Sequence, residues 1–139
     1  MKIENSVVIL GLVIVTLLAV STALAARKNN GLKDGTWGGQ HIHIEITNGA
    51  AQIEYDCAHG EISGPLTIDR RGNFSWHGYY TREAPGPIRL GKNPPRLAAT
   101  YSGTITDDAM SLTVTLADGQ QLDSFTLKRG ATGRITKCR

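Results

Sequence analysis

Residues 40 to 57, QHIHIEITNGAAQIEYDC, decide the fold, because apolar and polar side chains alternate on both sides of an Asn-Gly pair. Such alternation is typical of β-strands with one buried face, and Asn48-Gly49 is the strongest short signal for a two-residue hairpin turn. The turn brings the apolar side chains onto one face, in the pairs Ile42 with Tyr55, Ile44 with Ile53 and Ile46 with Ala51. The other face carries the polar pairs Glu45 with Gln52, His43 with Glu54 and His41 with Asp56.

The same period-two pattern continues along the chain, and turn signals recur about every ten residues. Further strands are predicted at residues 60–63, 66–69, 74–81, 97–106, 109–117, 121–129 and 134–138. A β-bulge is expected after the Asp118-Gly119 turn, because without it Leu122 would face outward and Asp123 inward. About eight short strands in hairpin order favour an all-β, up-and-down antiparallel barrel whose last strand pairs with the first. A β-sandwich is the alternative.

The first residues have the three parts of an export signal: a basic start, an apolar run at 7–20 and small residues at 21–25. The Ala23-x-Ala25 pattern predicts cleavage after Ala25, and the protein is then secreted or periplasmic. The alternative is an uncleaved signal helix that anchors the chain in a membrane through residues 7–26. The expected organisation is a signal peptide at 1–25, a polar leader at 26–35 and one barrel domain at 36–139.

The charge pattern argues against a nucleic-acid partner. Fifteen Lys and Arg residues face twelve Asp and Glu residues, which gives a net charge of +3. The basic residues are scattered, whereas nucleic-acid-binding proteins cluster them on one face or stripe. Apart from the signal segment, no membrane contact is expected.

The two cysteines, Cys57 and Cys138, are predicted to form a disulfide, because an even pair in a small exported domain is most simply bridged. The alternative is a reactive Cys57 thiol with His59 as its base. Such a pair also needs an orienting third group and a pocket, and the sequence displays neither.

Four side chains on one face of the first hairpin, His41, His43, Glu54 and Asp56, are of the types that bind metal ions. Opposite-charge and polar cross-strand pairs are, however, ordinary on a solvated sheet face. The strand spacing also spreads these groups beyond one coordination sphere. The interpretation preferred is therefore cross-strand pairing, with no metal or other cofactor.

The segment from Arg82 to Arg96 is the most distinctive loop, since it holds four of the five prolines and a local net charge of +3. Loops on rigid β-scaffolds often carry binding function. A ligand site is therefore predicted at the barrel end that this loop borders. Its positive charge would come from Arg89, Lys92 and Arg96, and its aromatic contacts from Tyr79, Tyr80 or Tyr101. A passive loop is the alternative.

Four segments carry a resemblance to known proteins, namely TWGG at 36–39, YDCAHG at 55–60, LKRG at 127–130 and KC at 137–138. Together they resemble a group of small, uncharacterised exported bacterial proteins. The group implies export and a small β-domain, with no activity to transfer. In layout the chain is also similar to lipocalin-like and avidin-like barrels, in which an early Gly-x-Trp, here Gly35-Thr36-Trp37, closes one end.

The sequence contains no nucleophile elbow, phosphate-binding loop, HExxH motif or paired-cysteine metal motif, so no motif assigns an enzyme class. Three classes of function remain. The leading hypothesis is a barrel that binds a small or anionic ligand. The second is an envelope or secreted interaction module, or an inhibitor, that acts through its surface, and the third is a small enzyme. Asn73-Phe74-Ser75 would be an N-glycosylation site only in a eukaryotic source.

Overall fold

The computed structural model describes residues 30–87, 91 and 93–138, and all regular structure in this part of the chain is β. The strands are β1 (Asn30–Gly31), β2 (Gly35–Gly39), β3 (Ile42–Thr47), β4 (Ala50–Tyr55), β5 (Ala58–Ile62), β6 (Thr67–Ile68), β7 (Asn73–Arg82), β8 (Arg96–Thr106), β9 (Ala109–Leu116) and β10 (Gln121–Arg129). The predicted export signal lies outside the described residues. Within them, no helix has the length and apolar character needed to cross a bilayer.

Eight strands close an antiparallel barrel in the order β10-β2-β3-β4-β5-β7-β8-β9, so the barrel prediction is confirmed and the sandwich is not adopted. Closure pairs both edges of every barrel strand, so that no strand of the barrel offers a free edge to another chain. The remaining strands, β1 and β6, pair with each other as a small separate ribbon.

Both hairpins that the sequence predicts in detail are confirmed. In β3 and β4, Ile42 faces Tyr55 and Ile44 faces Ile53, and the inward side chains are buried while the polar ones remain at the surface. Between β9 and β10 the register shifts from Gln121 to Ser124, which is the expected bulge. It leaves Leu122 packed against the core and Asp123 exposed.

Three details differ from the sequence prediction. The strand that closes the barrel against β10 is the glycine-rich β2, whereas residues 134–138 contribute one bridge, Gln40 with Arg134. Gly38 and Gly39 leave no alternating side chains to reveal a strand, but their missing Cβ atoms allow the backbones of residues 131–133 and of Thr126 to lie against them. The 66–69 segment stays outside the barrel, since Leu66 turns into the core and β6 pairs with β1.

One end of the barrel is closed by packing. Trp37 is fully buried there, and the Arg129 guanidinium stacks over its ring, 4.5 Å from the centroid. Asp108 holds Arg129 in place through a 3.4 Å ion pair. Leu32 and Leu66 join the same buried core from the β1 and β6 segments. The middle of the barrel is filled by buried side chains such as Ile44, Ile53, Trp76, Tyr101 and Val114.

Candidate ligand-binding cleft

The opposite end of the barrel, here called the mouth, is formed by the turns β2–β3, β4–β5 and β9–β10 and by the β7–β8 loop. It contains a cleft of about 590 Å³ that opens to solvent. One wall comes from the β4–β5 turn and the end of β7, and the facing wall comes from the β9–β10 turn and the start of β10. The lining residues are His41, Tyr55, Asp56, Cys57, Ala58, Tyr80, Arg82, Glu83, Gln120, Gln121, Leu122, Asp123 and Phe125.

Three aromatic rings form the floor of the cleft. The Tyr55 ring lies 5.4 Å from that of Tyr80, edge to face, and 5.6 Å from that of Phe125, both between centroids. Tyr55 itself is buried, whereas Tyr80 and Phe125 are half-buried against the core. Such edge-to-face and tilted contacts stabilise aromatic pairs by about 0.5–1.5 kcal/mol beyond the area that they bury. The floor is therefore a mutually packed apolar surface at the base of a polar opening.

Below the floor, hydroxyl groups are deeply buried. Tyr101 donates a 2.7 Å hydrogen bond to the backbone oxygen of Tyr79, and burial raises the pKa of Tyr101 to about 12. The Tyr55 hydroxyl has no hydrogen-bond partner of good geometry among the described residues. Burial raises the pKa of Tyr55 well above its usual value, and the nearby Tyr101 adds to this. Gly60 provides the space for the Tyr101 hydroxyl, which lies where a Cβ would stand.

At the rim, His41 and Asp56 form the closest polar pair. Nδ1 of His41 donates to Oδ2 of Asp56 at 2.5 Å, and the backbone N–H of Thr136 donates to Oδ1 at 2.8 Å. The Thr136 N–H, followed by His41 and Lys137, holds the pKa of Asp56 below its usual value. His41 has φ of 64°, a left-handed conformation that costs a non-glycine residue about 1–3 kcal/mol. Its backbone N–H, bonded to the Arg134 oxygen at 2.8 Å, helps to hold that conformation.

Residues 131–138, here called the strap, pass along β2, where residues 131–133 lie against Gly38, and reach the rim of the mouth at Asp56 and Cys57. The strap is attached to the β2–β3 region because Arg134 N–H donates to the Gly39 oxygen at 2.9 Å and Gly133 N–H donates to Nδ1 of His43 at 3.2 Å. Its far end is joined to the β4–β5 turn by the Cys57–Cys138 disulfide, whose Cα atoms lie 5.3 Å apart. The predicted disulfide is thus confirmed.

The disulfide also corrects two expectations. With strands predicted up to Cys57 and at 134–138, the disulfide is expected to join the second strand to the last, but it links the strap to a turn, because residues 134–138 leave the barrel wall. The reactive-thiol alternative for Cys57 is wrong, because its sulfur is bonded to that of Cys138. His59, the proposed base, instead donates to Glu83 at 3.1 Å, and Lys137 of the strap lies 3.9 Å from the same carboxylate.

The metal candidates are not brought into one group. His41 pairs with Asp56, whereas His43 accepts the N–H of Gly133 and lies across the strand pair from Glu54. In residues 30–87, 91 and 93–138 no three His, Cys, Asp or Glu side chains are arranged to hold an ion. His41 thus keeps the cross-strand partner that the hairpin register predicts, while His43 is engaged by the strap.

The six predicted ligand-site residues lie in different environments. Tyr80 lines the cleft and Tyr101 lies in the core. Tyr79, 40% exposed, is on the outer wall, where Arg96 stacks over its ring at 3.8 Å and binds Glu61 at 2.5 Å. A shallow depression of about 470 Å³ adjoins Tyr79 on this wall. Arg89 and Lys92 lie outside the described residues.

Sequence reasoning missed one whole wall of the cleft. Gln120 to Asp123 and Phe125 were assigned to a turn and a strand without a role in binding. The predicted bulge is the signal in the sequence, because a bulge at a barrel rim re-aims the side chains beside it.

Comparison of the chain with protein-family models, curated proteins and solved structures finds no significant match. The geometry of the cleft is therefore the basis for any proposal about function.

Proposed function

We propose that the protein binds a small ligand in the mouth cleft. The observation that carries the proposal is the contrast between the two barrel ends, one closed by Trp37 and Arg129 and the other open around a cleft of about 590 Å³. Ligand pockets commonly have volumes of about 300–1,000 Å³, with an apolar lining and a few convergent polar groups. The cleft falls within this range of volumes and has an aromatic floor, and its rim is richer in polar groups, with seven of the thirteen lining residues.

The rigidity of the cleft supports the same proposal. Tyr55, Tyr80 and Phe125 lie on barrel strands, and the disulfide and the strap restrain the rim. A site that is ordered before the ligand arrives loses less conformational entropy on binding. Preorganisation of this kind is expected of a binding protein.

The sign of the ligand's charge is a separate question. Arg82 lies in the cleft, but the lining also includes the carboxylates of Asp56, Glu83 and Asp123. Arg96, one of the three cations expected to attract an acidic group, is held on the outer wall by Glu61 and Tyr79. Arg82 is the one Arg or Lys among the described residues that line the cleft, so an acidic ligand would depend on it.

Fragment screening by ¹H–¹⁵N correlation NMR tests the proposal. The panel contains neutral sugars, amines, carboxylic acids and aromatic heterocycles, and saturable shifts are expected at the amides of Ala58, Tyr80 and Phe125. Gln121→Trp should block the effect by filling the cleft from its rim. Gln52→Trp, on the exposed outer face of β4, is the matched control and should leave it intact. A panel that shifts no mouth amides, or shifts them equally in Gln121→Trp, contradicts the proposal.

A surface-interaction role is the second candidate, favoured by the outer wall. An exposed Tyr79 held beneath the Arg96 guanidinium, beside a shallow depression, presents the residue types that dominate protein interfaces. A soluble partner bound through this wall would be lost on Tyr79→Ala and retained in Gln121→Trp. The opposite pattern would assign the partner to the mouth.

A further inference from the structure

We infer that the ligand of the mouth cleft is a neutral saccharide, an inference that rests on the proposed function. The juxtaposition that carries it is an aromatic floor surrounded by planar, polar side chains from two facing walls. Carboxylates, carboxamides, a guanidinium and an imidazole make up seven of the thirteen lining residues. The ligand has to match this composition, because a polar group of the cleft that loses its water without gaining a hydrogen-bond partner reduces the free energy of binding.

The polar groups of the cleft supply both kinds of hydrogen-bonding partner. Asp56, Glu83 and Asp123 accept only, Arg82 donates only, and the carboxamides of Gln120 and Gln121 do both. A hydroxyl group is a donor and an acceptor at once. A ligand bearing several hydroxyls can therefore satisfy such a mixed rim, whereas a hydrocarbon or an aromatic drug-like molecule would leave much of it unpaired.

The aromatic floor supplies the second half of sugar recognition. Tyr80 and Phe125 are half-buried, so part of each ring remains available at the cleft. The C–H groups on one face of a pyranose ring form an apolar patch while its hydroxyls project around the edge. Such a ring can pack on the floor and direct its hydroxyls to the rim, a match that neither an inorganic ion nor a linear polyamine offers.

The fixed charges of the cleft disfavour an acidic ligand, and two of its carboxylates already have partners within the protein. Asp56 is paired with His41, and Glu83 is shared by His59 and Lys137. Each of these carboxylates therefore has a hydrogen-bond donor within the protein and keeps lone pairs that can accept further hydrogen bonds. Arg82 adds a positive charge and Asp123 a negative one to the lining, and Lys137 offsets part of the charge of Glu83. Among the described lining residues, carboxylates outnumber cations, which disfavours an acidic ligand, and the donors already bound to Asp56 and Glu83 reduce what a cationic ligand could gain from them.

Three isosteric sugars test the inference directly. Glucose, glucosamine and glucuronic acid share the pyranose ring and differ in charge. A second panel consists of galactose, mannose, N-acetylglucosamine and the 1,4-linked disaccharides of the neutral sugars. At least one neutral member is expected to shift the mouth amides saturably at millimolar concentration and to bind more tightly than its charged analogues. A disaccharide should exceed its monosaccharide, since the cleft is open on one side.

Two variants locate the contacts. Phe125→Leu keeps an apolar side chain but removes the ring, and should weaken sugar binding about tenfold, the loss expected for an aromatic contact. Gln121→Ala should weaken it about fivefold, the loss of one neutral hydrogen bond. Gln52→Ala is the matched control on the outer face of β4 and should change nothing.

The outcomes separate this inference from the proposed function. Mouth binding by amines, acids or apolar fragments with no response to any neutral saccharide overturns the saccharide assignment and leaves a ligand-binding cleft. Sugar-induced shifts confined to the outer wall around Tyr79 overturn it as well. If no compound of any class shifts the mouth amides, both proposals fall.

Discussion

The backbone N–H of Thr136 donates a 2.8 Å hydrogen bond to Oδ1 of Asp56, which lies 80 positions earlier in the chain. The other carboxylate oxygen of Asp56, Oδ2, accepts a hydrogen bond from Nδ1 of His41. The strap thereby positions an imidazole and a carboxylate that both line the mouth cleft. The architecture of the rim depends on a segment that is not part of the barrel wall.

Removing this N–H should raise the pKa of Asp56. Thr136→Pro eliminates the donor, whereas Thr136→Ala keeps it, so only the proline variant should move the Asp56 pKa up toward the usual 3.8. Because folding lowers this pKa, the associated stabilisation is present above pH 3.8 and is lost as the pH falls through the folded-state value. The two variants should therefore differ in stability near neutral pH and converge in strong acid, apart from any effect of the proline ring itself.

Carboxylate NMR titration measures this effect, and Asp69 is the internal control. Hydrogen bonds from the Asn73 side chain and backbone lower the Asp69 pKa in the turn between β6 and β7, and Thr136 is not among the groups that act on it. The Asp69 pKa should be the same in both variants. Equal Asp56 pKa values in Thr136→Pro and Thr136→Ala would refute the assigned role of the N–H.

Removing the disulfide should loosen the mouth and destabilise the protein. The double variant Cys57→Ser, Cys138→Ser removes a cross-link between residues that are 81 positions apart in the sequence. The chain-entropy model then gives a loss of about 4 kcal/mol in the free energy of unfolding. Denaturant unfolding measures the loss. Amide hydrogen exchange should accelerate in the strap and in the β4–β5 turn while the amides around Trp37 remain protected. Unchanged exchange in the strap would show that its hydrogen bonds suffice without the covalent link.

Gly60 and Tyr101 should be energetically coupled. A Cβ at Gly60 would collide with the Tyr101 hydroxyl, and overpacking of this kind typically costs about 1–3 kcal/mol. Gly60→Ala should therefore destabilise the wild type more than it destabilises Tyr101→Phe, in which the hydroxyl is absent. A double-mutant cycle by thermal or denaturant unfolding isolates the coupling. Additive effects would mean that the Tyr79 backbone oxygen, also close to this Cβ, dominates the clash.

Arg82 and Arg96 should differ in their effect on the cleft, although they end and begin neighbouring strands. Arg82 lines the cleft, whereas Arg96 is bound to Glu61 on the outer wall. Arg82→Gln should lower the affinity for glucuronic acid relative to glucose by about tenfold, the loss of a hydrogen bond to a charged group. Arg96→Gln, the matched control, should leave both affinities unchanged. Equal effects of the two substitutions would place the acidic group outside the cleft.

Processing of the export signal can be checked separately. The Ala23-x-Ala25 pattern predicts a mature chain that begins at Ala26. Intact-mass measurement of the exported protein should give this species. A membrane-retained protein that still carries residues 1–25 would instead support the anchor alternative.

The sequence by itself determined the local parts of this protein. Alternation in β3, β4 and β9, with turn residues at Asn48-Gly49 and Asp118-Gly119, is enough to set register, because side chains of period two must bury one face. The cysteine pair and the bulge follow from equally local chemistry. The closing strand β2 escaped detection, since Gly38 and Gly39 show no side-chain pattern and their role appears only when other backbones pack on them.

Only the tertiary structure decided the cleft. Tyr55, Tyr80 and Phe125 come from distant parts of the chain, and closure of the barrel is what brings their strand ends to one mouth. Strand alternation puts Tyr79, the direct neighbour of Tyr80, on the outer wall, and the pairing of distant strands gives it Glu61 and Arg96 as neighbours. The strap then adds Thr136 to Asp56 by a backbone hydrogen bond, which no side-chain pattern encodes. Long-range contacts of this kind depend on how strands are arranged around the barrel, so local sequence signals cannot reveal them.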